Sequence, residues 1–187
     1  TSGNTPVLPL IITGSNRAGD GQQALVIDVS KLPKGTVIQV DNIEFLAIIG
    51  EVHVVGGAGQ NTAVGDSQKQ FMVLGADDDW IHGGGGEDTV GSLGGNAQIY
   101  GEAGNDVVYG GTGDDTLSGG AGNDSLNGGL GKDTAKMDGA RSDYTITTEG
   151  DTIVLTHKLG EVERLIDVEL TKVASGNDLQ VTYVDVI

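Results

Sequence analysis

The sequence contains no cysteine, so neither disulfides nor thiolate metal sites hold this chain together. Basic residues are scarce: 10 against 27 acidic ones, a net charge of −17 that disfavours nucleic acid and anionic membrane surfaces as partners. No stretch reaches the roughly 18 uninterrupted apolar residues of a spanning helix, so membrane insertion is not expected. No basic segment precedes an apolar core, and the opening TSGNTP reads as the start of a domain taken from a longer protein. Neither His-Glu-x-x-His nor Gly-x-Ser-x-Gly occurs, and His53, His82 and His157 stand apart from one another, so no enzyme activity is expected. Proline, at three residues, is as thin as glycine, at 33, is abundant. Because the glycines are periodic, they argue for a solenoid and against disorder.

From Gly83 to Lys136 the chain repeats nine residues at a time, as Gly-Gly-x-Gly-x-Asp followed by a polar-apolar-polar triplet: GGGGEDTVG from Gly83, GEAGNDVVY from Gly101, GGTGDDTLS from Gly110, GGAGNDSLN from Gly119 and GGLGKDTAK from Gly128. Counting in nines from Gly56 places Ala63, Met72, Ile81, Val90, Ile99, Val108, Leu117, Leu126 and Ala135 at position 8. All are apolar. In an extended triplet the middle side chain points to one face and its neighbours to the other, so position 8 is the inward residue. The register holds through the degenerate units GGAGQNTAV, GDSQKQFMV, LGADDDWIH and SLGGNAQIY, which extends the solenoid over residues 56–136.

These nonapeptides resemble the calcium-binding repeat of the repeats-in-toxin (RTX) proteins. The resemblance implies an all-β fold, a parallel β-roll with 18 residues per coil and turns stacking alternately on two edges. Position 6 then reads Asn61, Asp79, Ala97, Asp115, Asp133 on the first edge and Gln70, Asp88, Asp106, Asp124 on the second. It further implies several Ca²⁺ ions held by position-6 aspartates and backbone carbonyls, between Asp88 and Asp106, Asp106 and Asp124, and Asp115 and Asp133, with Asp79 as a further candidate ligand. The composition agrees. Eleven acids lie between Gly75 and Asp133, and their mutual repulsion calls for a hard cation with oxygen ligands.

On either side of the repeats the glycine motif is absent. Apolar runs at Leu10–Ile12, Ala24–Val29 and Val37–Val55 read as strands, forming an N-terminal β cap or first strands over residues 1–55. Residues 137–187 resemble the β-rich segment that closes RTX stacks, and Ser175-Gly176-Asn177-Asp178 is expected to be a turn without an ion. The three parts are expected to form one folded unit.

Two departures from the pattern coincide. Ala97 stands where the repeat calls for aspartate, and the outward positions of the early coils are aromatic or apolar, among them Phe71, Trp80, His82, Tyr100 and Tyr109. One such patch is expected to lie under the N-terminal segment, the other to bind a ligand. The candidate binding residues are Asp77, Asp78, Trp80, His82, Gly94, Gly95, Asn96, Ala97 and Tyr100, lining a groove beside a cation left short of a carboxylate. The arrangement of the whole chain is similar to the C-terminal region of large RTX adhesins of Gram-negative bacteria. That similarity implies a secreted, cell-surface module binding a peptide or protein C-terminus. A glycan partner, or a purely structural calcium-folded segment aiding secretion, are the alternatives.

Overall fold

The computed structural model describes residues 9–14, 23–138, 141–166 and 179–182. The N-terminal part contains β1 (Leu10–Thr13), β2 (Ala24–Asp28), β3 (Val37–Asp41), β4 (Phe45–Ile49) and β5 (Val52–Gly56). The central coils follow with β6 (Thr62–Val64), β7 (Gln70–Val73), β8 (Trp80–Gly85), β9 (Thr89–Gly91), β10 (Gln98–Ala103), β11 (Val107–Thr112), β12 (Thr116–Ala121), β13 (Ser125–Leu130) and β14 (Thr134–Met137). After one 3₁₀ turn at Arg141–Asp143 come β15 (Tyr144–Glu149), β16 (Thr152–His157), β17 (Val162–Ile166) and β18 (Leu179–Thr182).

Two sheets face each other. The first runs β1-β3-β5-β7-β9-β11-β13-β17-β16-β15, the second β18-β14-β12-β10-β8-β6-β4-β2. From β1 to β14 odd and even strands alternate between them, as they must when each half-coil is one strand and one turn. In the repeats the register is 18 residues, with Gln98 beside both Trp80 and Thr116 and Val108 beside both Val90 and Leu126. The fold is the all-β parallel solenoid that the nonapeptide spacing predicts.

The position-8 column from Ala63 to Ala135 is the core, and none of its nine side chains is more than 1 % exposed. Its neighbours in each triplet face out, which gives the alternating burial of β10 to β13. Burial of this single column, at about 25 cal/mol per Å² of apolar surface, is a modest driving force for so many loop residues. The turns must therefore contribute stability of their own.

The N-terminal strands enter the same stack in parallel, but with irregular coil lengths. The offset is 28 residues from Leu10 to Ile38, 21 from Ala24 to Phe45, 16 from Val37 to His53 and 17 from Phe45 to Thr62. They are the first strands of the two sheets, and none of those described lies across an outer face. Neither aromatic patch is therefore covered by them, because strands with unpaired edges add to a sheet end before they add to its face.

At the other end, β17 pairs in parallel with β13, while β16 and β15 add to it in antiparallel fashion. β18 closes the second sheet antiparallel to β14. Ser175–Asp178 lies outside the described residues.

Candidate metal centre

Each position-6 aspartate uses its two oxygens differently. Its Oδ1 accepts the backbone N–H of the position-6 residue one coil earlier: Gln70 to Asp88 at 2.7 Å, Asp88 to Asp106 at 2.8 Å and Asp106 to Asp124 at 2.8 Å on the second edge. On the first edge the same bond joins Ala97 to Asp115 and Asp115 to Asp133. The Oδ2 atoms of Asp88, Asp106, Asp115 and Asp124 are buried and receive no donor. A buried carboxylate oxygen left so costs free energy unless a cation meets it.

The glycines show what surrounds that oxygen. A Cβ on Gly101, at position 1, would lie 2.5 Å from Asp106 Oδ2 and 2.7 Å from the carbonyl oxygen of Gly119, one coil on. A Cβ on Gly110 would collide in the same way with Asp115 Oδ2 and the Gly128 carbonyl. Carboxylate and carbonyl oxygens thus converge on a space that only glycine leaves open. At position 4 the backbone must also turn left-handed, as at Gly104 with φ 146°.

Among the described residues no three His, Cys, Asp or Glu side chains converge, so a cation here takes its remaining ligands from the main chain and water. Calcium, which accepts 6–8 oxygens in flexible geometry, suits this donor set, and the residues present fit it. Asp88, Asp106 and Asp124 would hold ions on one edge, Asp115 and Asp133 on the other. The bound cation supplies positive charge where oxygens of successive coils crowd together.

Without that charge, burial pushes the carboxyls up. Asp88 and Asp115 rise to about 6 and Asp106 to about 7, burial being the largest cause and the neighbouring carboxylates adding to it. Asp79 also rises to about 6, through burial first. Asp79 stands apart from the intact pairs, with Asn61 before it and Ala97 after it in its column.

At Ala97 the cradle is filled from within the chain. Ser92, at position 1 of the same unit, places its Oγ 2.8 Å from the carbonyls of both Gly75 and Gly94 and 3.4 Å from Asp79 Oδ2. The hydroxyl donates to one of these oxygens at a time and accepts the Gly94 N–H at 3.3 Å. The exchange is reciprocal: in the regular units a position-1 Cβ would strike the position-6 carboxylate, and here alanine removes that carboxylate where serine brings the Cβ. Ala97 itself is buried, its methyl group 1 % exposed. The single substitution Ala97→Asp is expected to overpack the turn and lower stability in calcium by about 1–3 kcal/mol. Ser92→Gly with Ala97→Asp should recover it and raise the bound calcium by at least one per chain, counted by equilibrium dialysis.

The other candidate binding residues form a pleated face. Asp77 and Asp78 each accept a backbone N–H from a neighbouring coil, from Gly59 at 2.7 Å and from Asn96 at 2.7 Å. Gly94, Gly95 and Asn96 form the adjoining turn, in which Asn96 Oδ1 accepts the Asp114 N–H. Trp80, nearly half exposed, is beside Gln98 across β8 and β10. His82 and Tyr100 stack with ring centroids 4.9 Å apart, and His82 Nδ1 lies 2.7 Å from Glu102 Oε1. Glu102 occupies position 2, where the motif has glycine, and carries a left-handed φ of 79°. The structure thus brings Trp80, His82 and Tyr100 together on the second sheet and keeps Asp77 and Asp78 on the edge, tied to backbone.

Three residues were missed by sequence reasoning. Ser92 was detectable as a position-1 departure in the very unit that lacks its aspartate. Gln70, at position 6, turns its amide inward, with Nε2 2.6 Å from Asp66 Oδ1 and 3.4 Å from the Gly50 carbonyl. Glu163 in β17 is 5 % exposed and stands beside Asp124 in the position-6 column. Burial and then Asp124 push its carboxyl up to about 9, and burial raises Asp124 as well.

The fold and these oxygen cradles define a parallel β-roll whose turns suit hard cations. A family model for the RTX calcium-binding nonapeptide repeat, in four copies, matches residues 64–99 and 100–135. Over those residues the chain therefore carries RTX calcium-binding nonapeptide repeats. RTX repeats occur in secreted bacterial proteins. No helix among the described residues is long and apolar enough to cross a membrane. No curated protein and no solved structure gives a match.

Proposed function

We propose that this chain is a calcium-folded binding module of a secreted bacterial adhesin, which presents the outer face of its second sheet to a ligand on a neighbouring cell. The observation that carries the reading is the row of buried Oδ2 atoms without donors, each set among glycine carbonyls. Such a row is metastable without cations and rigid with them, so folding is coupled to extracellular calcium. The face itself supports recognition: Phe45 and Trp80 are exposed, His82 stacks on Tyr100, and Glu102 places a side chain at position 2, whose left-handed φ the roll gives to glycine at Gly84, Gly111, Gly120 and Gly129.

A peptide or protein C-terminus is the first candidate ligand. Because Ser92 fills the cradle beside Ala97, its carboxylate would meet Lys136, whose Nζ lies 5.9 Å from the Tyr100 ring centroid, rather than a cation. A glycan is the second reading, and the Ser92 contact favours it, since a sugar ring stacks on Trp80 without needing a vacant metal position. A C-terminal peptide library and a glycan array, each probed with and without EDTA, separate the two. Trp80→Ala, which leaves the inward Ile81 untouched, is expected to weaken binding at least about 10-fold, a typical cost for an aromatic anchor. Unchanged binding by this variant, with its calcium-induced circular dichroism intact, would remove the face from consideration.

A further inference from the structure

The C-terminal strand β17 occupies the place of a nonapeptide. Val162-Glu163-Arg164-Leu165-Ile166 lies in register with Asn123-Asp124-Ser125-Leu126-Asn127, as positions 5 to 9 of a further half-coil. The correspondence extends to the position-5 hydrogen bonds, whereas at position 6 the Asp124 N–H donates to the Val162 carbonyl at 3.1 Å and not to the Glu163 carboxylate. Asn105 Oδ1 accepts the Asn123 N–H at 2.9 Å, and Asn123 Oδ1 accepts the Val162 N–H at the same distance. Leu165 continues the position-8 column and is fully buried. The sequence separation from Asn123 to Val162 is 39 residues instead of 18, because the β15–β16 hairpin is looped out between them.

Glu163 is therefore the next position-6 carboxylate after Asp88, Asp106 and Asp124. Only 5 % of it is exposed, and neither its Oε2 nor Asp124 Oδ2 meets an N–H or hydroxyl donor, the two carboxyls lying within hydrogen-bonding reach of each other. Glu163 lines a cavity of about 320 Å³ together with Gly120 and Ala121 from the last glycine turn of that edge, and with Asp138, Tyr144 and Glu161 from the C-terminal segment. Glu163 faces this space with Asp124 beside it, glycine-turn backbone forms one wall and acids the other, and the one basic side chain of the lining, His157, is turned to Glu161 with Nδ1 3.8 Å from Oε2, so the pocket is electronegative. A glutamate is one methylene longer than the aspartate it replaces. It can reach into the wider gap left where a hairpin stands in for a glycine loop.

We propose that Asp124 and Glu163 form an additional calcium site, which staples the C-terminal β segment to the last coil of the roll. Backbone carbonyls of the 119–124 turn and water complete the shell. The site rests on the reading of the roll as calcium-folded. It differs from the repeat sites in taking one carboxylate from outside the repeats, so the cap locks only after the coil beneath it has formed.

The test is the number of calcium ions bound by the full chain, measured by equilibrium dialysis with elemental analysis, for the wild type and for Glu163→Gln. The expected result is one ion fewer in the variant, with the calcium-induced β signal of the repeats retained. An unchanged number would overturn the site and leave the two carboxyls sharing a proton instead. A wild-type protein that binds no calcium would overturn the roll reading itself, so the two failures are distinguishable. Should Glu163→Gln not fold, terbium luminescence decides on otherwise intact protein. Tyr144 lines the cavity, so Tyr144→Phe should remove part of the sensitised emission at unchanged ion number, and undiminished emission overturns the proposal.

Discussion

Chelating calcium at pH 7.5 is expected to abolish most of the β-sheet circular dichroism of residues 83–136, and acidifying the chelated protein to about pH 4.5 should restore part of it. The cause is the row of buried carboxyls. In the metal-free fold Asp79, Asp88 and Asp115 titrate at about 6 and Asp106 at about 7, all above the ordinary carboxylate value, and all chiefly through burial. A carboxyl whose folded pKa is raised favours the fold while it is protonated, below its unfolded pKa of about 4. That contribution is lost as pH rises through the folded value. The window is therefore about pH 4 to 7, and metal-free stability falls across it. At about 1.4 kcal/mol per pKa unit, halved for screening and mutual coupling, the four groups oppose folding by about 6 kcal/mol at pH 7.5, comparable with the whole stability of a domain.

Calcium reverses the slope, because it binds the deprotonated form. In saturating calcium the protein should be most stable near neutral pH and lose ions on acidification. The measurement is a pair of urea titrations at several pH values, with calcium and with EDTA. Parallel pH dependences in the two would refute the assignment of the buried Oδ2 atoms as ligands.

Much of this was legible in the sequence, for a physical reason. The nonapeptide has a fixed period, so one register assigns inward and outward faces to some eighty residues at once, and Ala63 through Ala135 all fall where that register puts them. What was not legible depends on compensation between side chains. The loss of aspartate at Ala97 reads as an open coordination position until the Ser92 hydroxyl is seen among the same oxygens. Glu163 reads as one acid among 27 until β17 is found in parallel register with β13, since a looped-out hairpin breaks the count of nine. The irregular coils before Gly56 likewise have no period to count.

These compensations divide the roll. In the early coils, position 6 is an amide: Asn61 donates from Nδ2 to the Ile43 carbonyl at 2.7 Å, and Gln70 points Nε2 at the Gly50 carbonyl. There a neutral N–H does what a cation would do later, meeting a main-chain carbonyl oxygen of the preceding coil. The coil at Ser92 uses a hydroxyl for the same end. From Asp79 and Asp88 onward, the coil at Ser92 apart, the chain relies on carboxylates, which need metal. The coils before Asp79 can thus form first and offer β6 and β7 as the edges on which the calcium-dependent coils assemble.

The largest effect of a single substitution is accordingly expected at Asp106. It belongs to two intact pairs, with Asp88 and with Asp124, and its Oδ2 faces the Gly119 carbonyl. Asp106→Asn keeps the acceptor for the Asp88 N–H but replaces the ligand oxygen by an N–H₂ group. Breaking a buried charge pair costs about 3 kcal/mol or more, so the calcium midpoint for folding should rise by about 100-fold, with up to two ions lost. In EDTA the sign inverts. The amide can donate to the Gly119 carbonyl, as Asn61 does to Ile43, and a raised carboxyl has been removed, so the metal-free variant should hold more structure at pH 7.5 than the metal-free wild type. Asp78→Asn is the control, since its exposed side chain retains the oxygen that accepts the Asn96 N–H and should shift the midpoint less than about 2-fold. A variant weakened equally with and without calcium would mean that Asp106 serves packing alone; opposite shifts in the two conditions identify it as the ligand shared by neighbouring ions.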